Sequence, residues 1–407
     1  MEKRVHIRLV ATLVLYGILT SAALAQNKGT PNAMNRVWEP AQWLQYRSAN
    51  EARQMIPDIG YQYVEPSSTK PEGVKLPAFQ SDRPLFRDWK TPMVAAGRIW
   101  MAFDRSNPTG EYDRLYLDAN ANGDLSDDPV QEPYGRQGSM FIFGPVKVVF
   151  AGPDGPITYH LSVELRGSPR QVYCLLRSAC WYEGEITVGG VKKRCMLIDH
   201  NVNGTFNDKS RDYHQSDRIR LGEQSGYEGA AVGNYVEVDN KLYKLEIARD
   251  GGSLTLIDAH DVPYGPVRLA DHITTVILSG ENGSFIRKPE NGVIKLPVGK
   301  YGVDSWTIAR TDNAGARWEM RGMVSSGGSG GITVAADKEV SLPIGEPIYS
   351  MVKVTKNDSI YTFEQKLQGR QGERVVLTRD RSRPPPPRLH LRSKDGAYDW
   401  SISSEYG

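Results

Sequence analysis

The chain has 407 residues, with 50 Lys and Arg against 48 Asp and Glu and a formal net charge of +2. A balance this close to zero provides no basic face for nucleic acid or for an anionic membrane. The length allows two or three domains with real cores, and three cysteines allow at most one intramolecular disulfide and a leftover thiol.

Residues 1–25 read as an export signal. Lys3, Arg4 and Arg8 form a positive start, residues 9–19 are the apolar stretch, and Ala23-Leu24-Ala25 is a small-residue cleavage site. No Cys follows the apolar run, so a lipid anchor at that site is not expected. No second long apolar run follows, so no membrane span is expected after cleavage. Loss of the leader takes basic residues from 50 to 47 and acidic residues from 48 to 47, leaving the mature chain neutral. The expected location is secreted or periplasmic.

Residues 26–91 read as a short helix followed by an extended segment. The helix is expected over 40–55, where Trp43, Tyr46 and Met55 can share a face. Residues 57–90 are rich in Pro, Ser and charge and suggest a wrapping strap. From residue 92 to 265, short alternating runs are broken by Gly, Asn, Asp and Pro. They predict strands at 98–103, 114–117, 146–150, 158–165, 172–176, 185–188, 192–198, 235–238, 242–247 and 253–257. Asp154-Gly155, Gly189-Gly190 and Asp250-Gly251 supply hairpin turns. Pro263-Tyr264-Gly265-Pro266 marks a boundary. Beyond it the strands at 274–278, 293–296, 305–309, 317–324, 332–335 and 339–342 suggest an Ig-like β-sandwich over 266–346. Residues 296–303 resemble the LPxGxYxV edge of secreted prealbumin-like or carboxypeptidase-regulatory-like sandwiches. A C-terminal β module over 347–407 carries strand runs at 351–355, 360–367 and 373–378. A Pro384–Pro387 spacer then leads to a closing hairpin around Lys394-Asp395-Gly396. The predicted class is mainly β: an antiparallel β domain with two calcium-type loops, followed by sandwich modules.

Those loops are the chemical signal. Residues 118–127 and 199–208 both read D-x-N-x-N-G-x-(Leu/Phe)-x-D. Oxygen-bearing side chains at positions 1, 3 and 5 and glycine at 6 suit a loop wrapped around a hard cation such as Ca²⁺. The first loop offers Asp118, Asn120, Asn122, Asp124, Asp127 and Asp128; the second offers Asp199, Asn201, Asn203, Thr205 and Asp208, with Asp212 nearby. The bidentate Glu usual at position 12 is absent, Pro129 and Ser210 standing there, and both loops carry Asp at position 10 instead. Leu125 and Phe206 at position 8 would anchor each loop to a core. Each loop follows an apolar strand without flanking helices, so a helix-opening sensor is not expected. With fewer carboxylates the second loop should bind more weakly. The opposing reading is a pair of metal-free Asx turns.

Residues 115–128 and the Glu405-Tyr406-Gly407 tail resemble secreted bacterial, planctomycete-like β-rich proteins of unknown function with EF-hand-like loops. The resemblance implies calcium-type loops at 118–128 and 199–208 and no known activity.

Catalytic signals are weak. Gly327-Gly328-Ser329-Gly330-Gly331 satisfies G-x-S-x-G, but a nucleophile elbow needs a helix after it and strand-like residues follow. No H-E-x-x-H occurs and the histidines are scattered. Paired carboxylates of a glycosidase leave no local pattern. The expectation is an exported, non-catalytic structural or binding protein, stiffened by Ca²⁺, whose partner is a protein or glycan. The alternative is a calcium-supported hydrolase of carbohydrate.

Overall fold

Alternation of apolar and polar residues builds most of the chain into antiparallel sheets. In Tyr235–Val238, Val236 and Val238 turn inward. The Asp239-Asn240 link, with φ of 49° and 62°, then reverses the chain into Lys241–Ile247. Gly189-Gly190 does the same between Cys180–Val188 and Val191–Ile198, with φ of 57° and 81°. This computed structural model describes residues 40–52, 60–168, 171–222, 229–324, 331–358 and 360–405. All of these fall within one contact unit, Val37–Gly407.

A first core joins several sheets. Met140–Gly152, Gly155–Ser168 and Gln171–Ser178 form a meander. Cys180–Val188, Val191–Ile198 and Arg218–Leu221 form another. Leu85–Lys90, Arg98–Asp104 and Arg114–Leu117 form a third. Trp89, Phe103, Leu117, Phe150, Tyr159, Leu197 and Phe206 meet in one buried cluster between them. A second cluster gathers Leu278, Phe285, Leu296, Tyr301, Trp306, Ile308 and Val375. Its main sheet runs through Ile273–Gly280, Gly299–Thr311, Arg317–Met323 and Arg374–Arg379. Facing strands include Tyr264–Arg268 and Val293–Pro297, and the Tyr264–Arg268 strand pairs in parallel with Val340–Ser341.

The expected helix over 40–55 is not formed across its described residues, 40–52. Gln42–Trp43 and Gln45–Ser48 are strands, and only Ala49–Ala52 makes a helical turn. The open edges of Ser253–Asp258 and Cys180–Val188 take these residues as partners, an advantage a short isolated helix cannot match. Trp43 is exposed rather than on a buried helical face. Of the expected strap over 57–90, the described residues 60–90 contribute the strands Tyr61–Val64 and Leu85–Lys90 to the sheets around the first core.

Pro263–Pro266 is no spacer, because Tyr264–Arg268 is a strand of the second cluster. The line at 346/347 is crossed as well: Arg374–Arg379 pairs along Arg317–Met323, and Val375 is buried in the same core. From Gln368, the Tyr349–Asn357 and Ile360–Gln368 strands extend as an exposed ribbon.

The export signal, Met55, Gly327–Gly330 and Tyr406-Gly407 lie outside the described residues. After the glycine run comes the strand Ile332–Val334, not a helix. Among the described residues, no helix is long and apolar enough to cross a membrane.

Candidate metal centre

Both loops begin where an apolar strand leaves the first core: Arg114–Leu117 delivers Asp118, and Val191–Ile198 delivers Asp199. Position 4 adopts the left-handed conformation in each, with Ala121 at φ 59° and Val202 at φ 56°. Gly123 and Gly204 at position 6 follow at 82° and 91°, a region that favours glycine.

The two loops make the same hydrogen bonds. Asp118 accepts the backbone N–H groups of Asn122 and Gly123, both at 2.9 Å. Asp199 accepts those of Asn203 and Gly204 at 3.2 and 2.7 Å. Asn120 and Asn201 each accept the N–H two residues on, at 3.0 and 3.1 Å. The carbonyl oxygens of Asn122 and Asn203 accept the N–H of position 7, at 2.7 and 2.9 Å. The Asp at position 10 draws the side chains together. Asp127 accepts the side-chain amides of Asn122 at 2.7 Å and Asn120 at 3.5 Å. Asp208 accepts those of Asn203 at 2.8 Å and Asn201 at 3.1 Å, with the Thr205 hydroxyl at 2.6 Å.

The remaining predicted residues are used differently. Asp124 turns away to Lys75 Nζ at 2.7 Å and to Ser126. Asp128 accepts the Ala119 N–H at 3.1 Å. Asp212 accepts the N–H of His214 and stays out of the second loop. Sequence reasoning missed Asp217. It is fully buried and accepts the N–H of His200 at 3.1 Å and of Asp208 at 2.8 Å. It lies beyond the ten-residue pattern, so spacing alone could not flag it. Among the described residues, no three His, Cys, Asp or Glu side chains come together at metal-holding spacing. A cation here would depend on amide, hydroxyl and carbonyl oxygens beside the carboxylates.

The loops are anchored from outside. The N–H of Leu125 donates to Lys75 O at 2.9 Å and that of Phe206 to Arg249 O at 3.0 Å. Phe206 packs edge-on against Tyr182, with centroids 5.1 Å apart. The strap grips the second loop: Trp89 Nε1 donates to Val202 O at 2.6 Å, and Gln62 Nε2 reaches the carbonyls of Asn201 and Val202. Tyr159 donates to Asp199 at 2.8 Å.

Burial makes ionisation costly for several of these acids. It raises Asp118 and lifts Asp128 to about 6 against the opposing Ala119 N–H bond, with the charges of Asp127, Asp118 and Asp124 adding to the rise. Asp199 is pushed up to about 7 by burial. Burial, then the charges of Asp199 and Asp208, hold Asp217 well above the ordinary carboxylate range. Asp124, bonded to Lys75, falls to about 2.

No family model matches this chain, and searches of curated proteins and of solved structures found no similar protein.

Proposed function

We propose that the protein is an exported, non-catalytic scaffold whose two loops bind Ca²⁺ and stiffen a β framework that holds a partner. The single observation that carries this reading is the matched gathering of positions 3, 5 and 10. Asp127 collects Asn120 and Asn122, and Asp208 collects Asn201, Asn203 and Thr205. It is the amide nitrogens that face Asp127 and Asp208 here; turned over, each amide would bring to the same place an oxygen, the ligand type a hard, flexibly coordinated cation takes. A metal-free Asx turn accounts for the bonds of positions 1, 3 and 5 to the backbone. The amide-to-carboxylate bonds lie outside the Asx turn and bring positions 3, 5 and 10 to one place.

The electrostatics support the same reading. Asp118, Asp128, Asp199 and Asp217 all have raised pKa values, with burial the leading cause. A bound dication offsets repulsion among such carboxylates. In the bound protein Asp118, Asn120, Asn122 and Asp127 would hold one ion, and Asp199, Asn201, Asn203, Thr205 and Asp208 the other. The ion would tie each strand end to the loop that follows it. The expectation that the second loop is weaker gives way in our proposal to a more even pair, because Asp217 and the Trp89 and Gln62 clamps pre-organise the second loop.

Export is proposed from residues 1–25, and the Ig-like character of the second cluster from the pairing of its strands. Calorimetric titration with Ca²⁺, beside Asp118→Ala and Asp199→Ala variants, tests the reading. It predicts heat from the parent protein and the loss of one site in each variant. Absence of heat and of any gain in melting temperature rejects it.

A further inference from the structure

The second core is open at one end. There Ile308, Met320 and Leu377 floor a cavity of about 350 Å³, with Trp318 and Asp312 at its wall. The floor residues stand side by side because Met320 is in register with Ile308 on one neighbour and Leu377 on the other. One step outward on the same face, Trp318 is in register with Arg310 and Arg379. The volume is within the range of small-molecule sites, roughly 300–1,000 Å³.

The wall is held in place. Trp318 Nε1 donates to Asp312 at 2.9 Å, and the Arg379 guanidinium lies 5.6 Å from the indole centroid. Asp312 also accepts the N–H groups of Ala314 and Ala316, both at 2.9 Å. Arg310, at the edge of the cavity, makes a two-pronged pair with Glu346 at 2.9 and 2.6 Å.

We infer that this mouth binds a neutral pyranose unit of a glycan. A pyranose presents apolar C–H faces and a rim of hydroxyls that both donate and accept. The apolar floor and indole suit the faces. Asp312 accepts from hydroxyls, and Arg310 donates to them. An alkyl chain would cover Asp312 and Arg310 with nothing to replace the water they lose. With Asp312 and Glu346 set against Arg310 and Arg379, the charges around Trp318 balance, so an anionic sugar gains no net attraction there. The inference rests on the scaffold reading only in taking the chain as a binding protein. It shares no residue with the cation loops.

The test uses the full chain, titrated with maltohexaose, cellohexaose, mannohexaose and an oligogalacturonate, in EDTA and again in Ca²⁺, followed by saturation-transfer NMR and calorimetry. At least one neutral oligosaccharide should bind in both buffers and outcompete the uronate. Trp318→Ala should weaken it by about tenfold, as expected for loss of an aromatic platform. Asp312→Asn, which keeps the side-chain shape but gives up the acceptor for Trp318 Nε1, should weaken it about threefold. No binding at millimolar sugar, preference for the uronate, or affinity unchanged in both variants would overturn the assignment. Sugar binding without a calcium heat would sink only the cation reading.

Discussion

Asp217 caps the backbone N–H of His200 across seventeen residues of chain, as Asp128 caps Ala119 across nine. The two loops therefore share one design at position 2 as well as at positions 1, 3, 5 and 10. In the first loop the neighbouring residue supplies the cap. In the second it comes from just before the Arg218–Leu221 strand. Asp217→Ala strands the N–H groups of His200 and Asp208 in a buried site, at about 1–3 kcal/mol each. Urea unfolding in EDTA should show a total loss of about 2–5 kcal/mol. A loss under 1 kcal/mol would show the cap to be dispensable.

The strap is expected to stabilise the second loop directly. Trp89 is fully buried and its Nε1 is the donor to Val202 O. Trp89→Phe keeps most of the ring and removes that donor, so thermal unfolding should report a loss of about 1–3 kcal/mol. Gly60 makes a second contact: a Cβ there would sit 1.5 Å from His200 O. Gly60→Ala should force the strap off the loop and lower the melting temperature more than a surface Gly→Ala change does.

Acid sensitivity should centre on Asp104. Burial opposes its ionisation, but bonds from the Ser81 hydroxyl and the N–H groups of Gln80, Arg105 and Ser81 outweigh burial and set its pKa below the ordinary 3.8. A folded pKa below the unfolded one means the contribution is present above about pH 4 and is lost as pH falls through the native value. The parent should therefore lose more melting temperature between pH 6 and pH 3 than Asp104→Asn does. Equal slopes would contradict this.

The thiols should be inert in the folded protein. Cys174, Cys180 and Cys195 are free and buried. Burial pushes Cys180 and Cys195 up to about 12 and raises Cys174 as well. The thiolate is the reactive form, so a thiol-reactive dye at pH 8 should label none until denaturant is added. Rapid labelling of the native chain would contradict the burial.

Local patterning carried far in this chain. The alternating runs at 114–117 and 235–238 coincide with observed strands. Asp118, Asn120, Asn122 and Asp127 could be picked out because the loop pattern is written in consecutive residues. What stayed hidden depends on distant chain. Gln42–Trp43 and Gln45–Ser48 lie in a stretch with a helical pattern yet form sheet, since the edges they pair with lie beyond residue 179. Asp217 looks like any loop aspartate until the fold brings it under His200. The sugar-sized mouth needs three strands from separate parts of the sequence, with Trp318 in register with Arg310 and Arg379.

Isothermal titration of the metal-stripped full chain with Ca²⁺ is the most direct measurement. It should show two bound ions per chain, falling to one in Asn122→Ala and to one in Asn203→Ala, with a higher melting temperature on loading. A flat titration, with the melting temperature the same in EDTA and in millimolar Ca²⁺, would mean that these matched corners close on their own hydrogen bonds and hold no ion.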